Sequence, residues 1–510
     1  MRTRTAIHLP LLVLLTVAIA TVTLRLATNH AVRADSGKIP VTTQSEEARK
    51  EFLEGRDLFE RLLAQDSIPH YDKAIEIDPN FALAELGRAN AAPTAKDFFD
   101  HLKKAVAQAD KASEGERLLI LATQAGAEGN TQKQREYLEK LVAVYPNDER
   151  AQFNLGGYYF AQQEYPQAIE HYKKATELAP GYSPVYNILG YSYRQVGDYA
   201  NAEQVFKKYT ELIPNDPNPY DSYAELLMKM GRYDESIAQY RKALSIDPNF
   251  IASHFGISGD LMYMGKPAEA TAELQKIMER ARSDGDRRTA MFGITVVDVD
   301  SGRPDDAIKE NDKLYALGEK TNDVAAMSFN AQTKGNLLAE MGKFDAAKQE
   351  YDRALKLIVD SSLGDDLKEN TKLFHHYNLA TVAVGKKDLA TAKNEAEEFR
   401  KGAAAKNNAL QLKQAHELAG IIALAQKQFD GAIAELRQAS QENPRNLYRL
   451  CQAYQAKGDS ATAREYCARA AQFNSLPQLN LAYVRVKAKK MAGDKIADSK
   501  ARAANTRPRQ

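Results

Sequence analysis

Tryptophan is absent from this 510-residue chain, cysteine occurs twice, and neither sign of charge prevails: 69 lysines and arginines face 68 acids, a net charge of +1. So even a balance carries no footprint of a polyanion partner, and nucleic acid is not expected. Absent too are a phosphate-cradling GxxxxGK[ST], a GxGxxG and a GxSxG nucleophile turn; GISGD at 256–260 has the wrong spacing and lies inside a helical pattern. Yet 44% of the residues are hydrophobic and 27% charged, too apolar a chain for disorder throughout, and 510 residues exceed one ordinary core. Several domains or one elongated array remain.

Charge is uneven at the ends. Residues 1–34 carry four arginines and no acid, and residues 485–510 carry nine basic residues against Asp494 and Asp498, so the body between is mildly acidic. Arg2 and Arg4 precede an apolar run from Leu9 to Leu24, and Val32 and Ala34 are small residues placed for cleavage. The segment reads as an export signal, or as an uncleaved anchor through residues 6–24. Both place the rest outside the cytoplasm, in the periplasm or held on the inner membrane, if the basic start stays inside. No cysteine follows the run, which argues against a lipid anchor. Residues 492–510 read as a solvated, disordered basic tail.

Between the ends the chain repeats itself. LGGYYFAQQEYPQAIEHYKKATELAPG from Leu155 returns as LGYSYRQVGDYANAEQVFKKYTELIPN from Leu189, 34 residues on. Leu155, Leu189 and Tyr223 correspond, as do Ala168, Ala202 and Ser236, and Pro180, Pro214 and Pro248. Apolar residues fall at helical spacing within each unit, as in Tyr186, Leu189, Gly190 and Tyr193, then Ala202, Val205, Phe206 and Tyr209. Gly197-Asp198 and Pro214-Asn215-Asp216 supply the turns, since proline stops a helix and Asp or Asn caps the next. Small residues at Gly190 and Ala202 mark where the two helices meet closely.

These residues resemble the tetratricopeptide repeat from about residue 47 to about residue 490, most clearly in 149–182, 183–216 and 217–250. The resemblance implies an all-α, right-handed α-solenoid of eleven or twelve helix-turn-helix repeats. A linker over 35–46 leads into divergent repeats over 47–148. Well-matched repeats follow over 149–284, longer divergent ones over 285–412 and C-terminal ones over 413–477, with a capping helix at 478–491. The interval grows to about 40 and 45 residues between Ala307, Ala347 and Ala392, through longer helices or longer loops.

Chemistry is hard to place on this pattern. HELAG at 416–420 has glycine where a second zinc-binding histidine belongs, so His416 reads as a packed residue. His375 and His376, being adjacent, point about 100° apart on a helix and do not make a metal site. Tyr159, Tyr172, Tyr193 and Tyr240 occupy repeat core positions. No enzyme, cofactor or metal is expected.

What the resemblance implies is a groove that binds a protein or peptide segment. Its inward residues are Phe153, Phe160, Asn187, Tyr191, Arg194, Asp221, Glu225, Met228, Phe255 and Met262. Members that clamp a chaperone's C-terminal carboxylate carry lysine and asparagine where this chain has Phe153 and Gly157, so that ligand is not implied. An amphipathic segment fits better, its apolar anchors on the phenylalanines and a basic group on Asp221 and Glu225. Two roles are open: a scaffold for envelope assembly or secretion, and a sensory module serving a separate signalling protein. Cys451, at the small position of a first helix, and Cys467, facing inward on the second, are brought near each other, either bridged or packed as thiols.

Overall fold

The computed structural model describes residues 37–493 apart from Leu62, Thr94, Gly129 and Asn407. The export segment and residues 494–510 of the basic tail lie outside the described residues. The chain divides into two compact units between Leu226 and Leu227.

In the first unit, helices α1 Glu46–Glu60, α2 Ala64–Ile77, α3 Ala82–Asn90, α4 Ala95–Gln108, α5 Glu114–Ala127 and α6 Thr131–Val144 are followed by α7 Glu149–Ala161, α8 Tyr165–Leu178, α9 Ser183–Gln195 and α10 Tyr199–Leu212. Helix α11, Pro217–Lys229, contains the division. The second unit continues with α12 Tyr233–Ile246, α13 Ile251–Tyr263, α14 Pro267–Arg280, α15 Asp284–Asp300, α16 Pro304–Lys320, α17 Val324–Glu340 and α18 Phe344–Val359. Then come α19 Asp365–Gly385, α20 Leu389–Ala405, α21 Ala409–Ala425, α22 Phe429–Gln438, α23 Pro444–Lys457, α24 Ser460–Ala471, α25 Leu479–Ala482 and α26 Arg485–Ala492. Each unit is a run of consecutive helix pairs in the solenoid pattern.

Local chemistry makes each pair. The turn between α9 and α10 needs a left-handed residue, and Gly197 supplies it at φ +80°. Asp198 then caps α10 by accepting from the Asn201 amide at 3.2 Å. Gly190 is small for a specific reason: a Cβ there would come within 2.7 Å of the Phe206 ring on the partner helix. Gly156 and Gly335 make the same room for Tyr172 and Tyr351. The second helix thus pushes an aromatic ring into the gap left by a glycine of the first. Tyr172 and Tyr240 are fully buried core residues and Tyr159 is buried, whereas Tyr193 is half-buried.

Helices, not loops, account for the stretched interval. Helices α7 to α10 have 13 or 14 residues, whereas α15 to α21 have 16 to 21. At about 3.6 residues per turn, most gain one turn. The cap over 478–491 is two helices, and the covering is done by α26, whose Ala488 and Ala492 join the apolar cluster of Leu450, Cys451, Ala463 and Cys467. Cys451 and Cys467 are bonded, with Cα atoms 5.2 Å apart. Among the described residues, no helix is long and apolar enough to cross a membrane.

Candidate functional site

In the first unit the first helices of two successive pairs, α9 and α11, carry a connected polar strip. Asn187 on α9 donates its amide to Asn218 Oδ1 on α11 at 3.3 Å, and Tyr209 donates to the same oxygen at 3.1 Å. One turn along, the Tyr191 hydroxyl reaches Ser222 Oγ at 3.3 Å and Glu225 Oε1 at 3.4 Å. Arg194 pairs with the other oxygen of Glu225 at 3.1 Å and lies over the Tyr191 ring at 4.5 Å. The strip follows from repeat register, since residues 34 apart, or one helical turn short of that at 31, meet on adjacent first helices.

The last turn of α1 meets the starts of α7, α9 and α11. Arg150 at the start of α7 holds Glu60 with two nitrogens, at 2.8 and 2.9 Å, and stacks over Tyr182 at 4.8 Å. Burial opposes the Arg150 charge, but Glu60, Tyr182 and Glu149 outweigh it and hold its pKa above the usual arginine value. Arg61 reaches Asp216, 3.6 Å away, just before α11. Burial nevertheless keeps the Asp216 carboxyl above its ordinary range, against the Asn218 amide and Arg61.

The inward residues named from the sequence differ in exposure. Phe153, Asn187, Asp221 and Glu225 in the first unit are buried, with Phe153 packed on the Tyr172 and Tyr182 rings; Phe160, Tyr191 and Arg194 are half-buried. Because Glu225 is already paired with Arg194, a partner's basic group meets a guanidinium where a free carboxylate was expected. In the second unit Met228, Phe255 and Met262 are buried as well. Gly259, one turn before Met262, faces Pro477: a Cβ on it would come within 3.0 Å of that ring.

Glu60, Arg150, Tyr182 and Ser222 were missed. Arg150 had a legible signal, because it lies one helical turn before Phe153 on the same face. Glu60 had none: its partner is 90 residues away and in no repeat register.

The histidines have a common role. His70, His254, His376 and His416 each sit 2.6 to 2.8 Å from a glutamate 19 residues away, Glu51, Glu273, Glu395 and Glu435 respectively. His171 meets Gln152 at the same separation and 2.9 Å. These are cross-braces inside helix pairs. His375 turns instead to Asp352 at 3.2 Å, so it and His376 do not converge. Among the described residues one set of three possible metal ligands comes together, Glu51, Glu54 and His70, within 4.8 Å. Its core is the same brace with one more carboxylate beside it, and nothing further marks it as a metal site.

Three stretches match family models: 147–215 and 224–258 match tetratricopeptide repeats, and 258–373 a tetratricopeptide repeat-like domain. That repeat fold belongs to a non-catalytic scaffold class. No curated protein matches the chain. Among solved structures, similarity is found to a crystal structure of MamA, at 23% identity over 32% of this chain and 89% of that one, with a TM-score of 0.29. MamA from Desulfovibrio magneticus RS-1 matches at 18% identity over 32% of this chain and 93% of that one, TM-score 0.30. A tetratricopeptide repeat protein from Parabacteroides merdae matches at 16% identity over 54% of this chain and 94% of its own, TM-score 0.34.

Proposed function

We propose that this chain, a tetratricopeptide-repeat protein, is a scaffold that holds a segment of a partner protein along the first-helix edge of its first unit, at Phe160, Tyr191 and Arg194. One observation carries this reading: the half-buried Tyr191 and Arg194 are stacked on each other and tied to Glu225. Side chains ordered in advance lose little entropy when a partner arrives. They offer an aromatic face beside a cation, which suits a segment with an apolar anchor and a nearby acid.

Export and a part in envelope assembly or secretion belong to the same proposal. They rest on Arg2, Arg4, the Leu9–Leu24 run and the small residues before Asp35. Fusing residues 1–45 to a reporter active only outside the cytoplasm tests this; a stable but inactive fusion refutes export.

The binding edge is tested by recovering partners on the full-length protein and on Tyr191→Ala, Arg194→Glu and the outer-face control Lys173→Glu. Loss of a specific partner from the first two, with melting temperature held, is the expected result. Equal recovery by all three rejects the edge.

A further inference from the structure

Between the end of α24 at Ala471 and the start of α26 at Arg485, the chain, with the short helix α25 within it, crosses the ends of successive first helices of the second unit. Lys229, the last residue of α11, donates to the Phe473 carbonyl at 2.8 Å. Tyr233 donates to Asn474 Oδ1 at 2.9 Å, and Tyr263, the last residue of α13, donates to the Ser475 carbonyl. Pro477 lies against Gly259, where a Cβ would come within 3.0 Å of its ring. Tyr483 and Val484 share an apolar cluster with Ala307 of α16 and Leu337 of α17. Arg485 reaches Asp300, the last residue of α15, with Nε 2.7 Å from Oδ1, and also lies over the Tyr263 ring.

This is how a repeat array would hold a foreign segment. Two of the donors read main-chain carbonyls and would accept any extended chain. Selectivity comes from the slot for a proline at Gly259, the apolar patch and the carboxylate for an arginine. An arginine suits this place twice, since the carbonyl end of α15 favours a cation as well. The stretch is flanked by two elements fastened to each other, and between them only the non-covalent contacts above hold it to the helix ends. The Cys451–Cys467 bond ties α24 to α23, and α26 packs into the cluster around that bond.

We infer that this face of the second unit is a binding site for partner segments of that chemistry, an extended proline-containing stretch followed, after one helical turn, by an aromatic residue and an arginine, and that residues 473–485 are its internal competitor. The inference stands apart from the edge proposed on the first unit. A tethered competitor acts at an effective concentration of about millimolar, so an outside segment binds weakly until the tethered one is weakened.

A labelled synthetic peptide of residues 473–485, titrated onto the full-length protein, is the probe. Arg485→Glu in the protein sets a carboxylate against Asp300 and the end of α15; the native peptide is expected to bind this variant at least tenfold more tightly than the unaltered protein. The reciprocal protein variant, Asp300→Arg, should reject the native peptide and accept one carrying Arg485→Glu. Equal binding to the unaltered and Arg485→Glu proteins, or binding to neither, overturns the inference. Hydrogen exchange on the unaltered protein decides the case even if the variants unfold. Amides of residues 478–484 should exchange faster than those of Val296 and Val297 in α15, and equal protection would show that the stretch is core.

Discussion

Each unit is crossed by an irregular stretch of chain, and the two crossings lie at opposite ends of the first helices. In the first unit residues 38–43 run past helix starts. Asp148 caps α7 with one carboxylate oxygen, accepting from Ala151 at 2.8 Å, and with the other accepts from the Ile39 amide at 2.9 Å. Glu116 does the same at α5, accepting from Ser113 at 2.6 Å and from the Thr42 amide at 2.7 Å. Ahead of α3, Asp78 accepts from Asn80 at 3.1 Å and from the Thr43 hydroxyl at 2.6 Å. In the second unit the crossing at helix ends reverses the roles, with Lys229 and Tyr263 donating to carbonyls of the crossing chain. The difference has a common cause. Helix starts gather acidic caps because their amides need acceptors, and a cap uses only one of its two oxygens. The spare oxygen then binds a passing amide. Helix ends favour cations and donors, which bind a passing carbonyl.

The sharpest way to press this contrast is pH. Burial, with the Asp234 carboxylate adding to it and the Ser236 hydroxyl opposing it, pushes the Asp260 carboxyl in the second unit up to about 8. Its field also reaches Tyr233 and Tyr263, the donors that hold residues 474 and 475. A raised carboxyl pKa means that between pH of about 4 and 8 the unfolded chain has released a proton the folded chain keeps. Stability of the second unit should therefore fall by roughly 1.4 kcal/mol per pH unit across that window, and Asp260→Asn should flatten the slope. Urea midpoints at pH 5 and pH 8 for both proteins check this; parallel profiles would sink it. In the first unit Glu149 behaves the other way, although burial raises Asp148 and Asp216 there. Burial raises the Glu149 pKa, but the Lys38 hydrogen bond and the nearby Arg150 charge prevail and lower it, so its contribution is lost as pH falls.

Reduction separates the units next. The Cys451–Cys467 bond closes a loop with a sequence separation of 16, for which the chain-entropy model gives about 3 kcal/mol. Removing it with Cys451→Ala and Cys467→Ala should lower the melting of the second unit and leave the first unchanged. Thiol counting on denatured, unreduced protein comes first, and two free thiols would remove the premise.

The smallest effect expected belongs to the first unit. Asp148→Ala removes the α7 cap and the acceptor for Ile39 together, at a cost of about 2 kcal/mol. Asp198→Ala removes a cap whose described contacts are the local ones to Asn201, and should cost about half as much. Equal losses in urea unfolding would show that the crossing over residues 38–43 adds nothing at α7.

By itself the sequence determined the repeat: its 34-residue period, the pairing of helices, the glycine that admits a ring and the Asp that caps the next helix. All of these act within one unit of the repeat, between neighbours such as Gly190 and Phe206, so local spacing carries them. The half-buried Tyr191 and Arg194 were legible for the same reason, as positions in that register. Only the tertiary structure decided what meets across the array. Residues 478–491 read locally as one capping helix. Instead the chain just before them takes up partners more than 200 residues back in sequence, Lys229, Tyr233 and Tyr263, and Arg485 takes Asp300. Nothing in their spacing announces them, because donors for a carbonyl and a carboxylate for an arginine become a site only when packing brings the ends of several helices together.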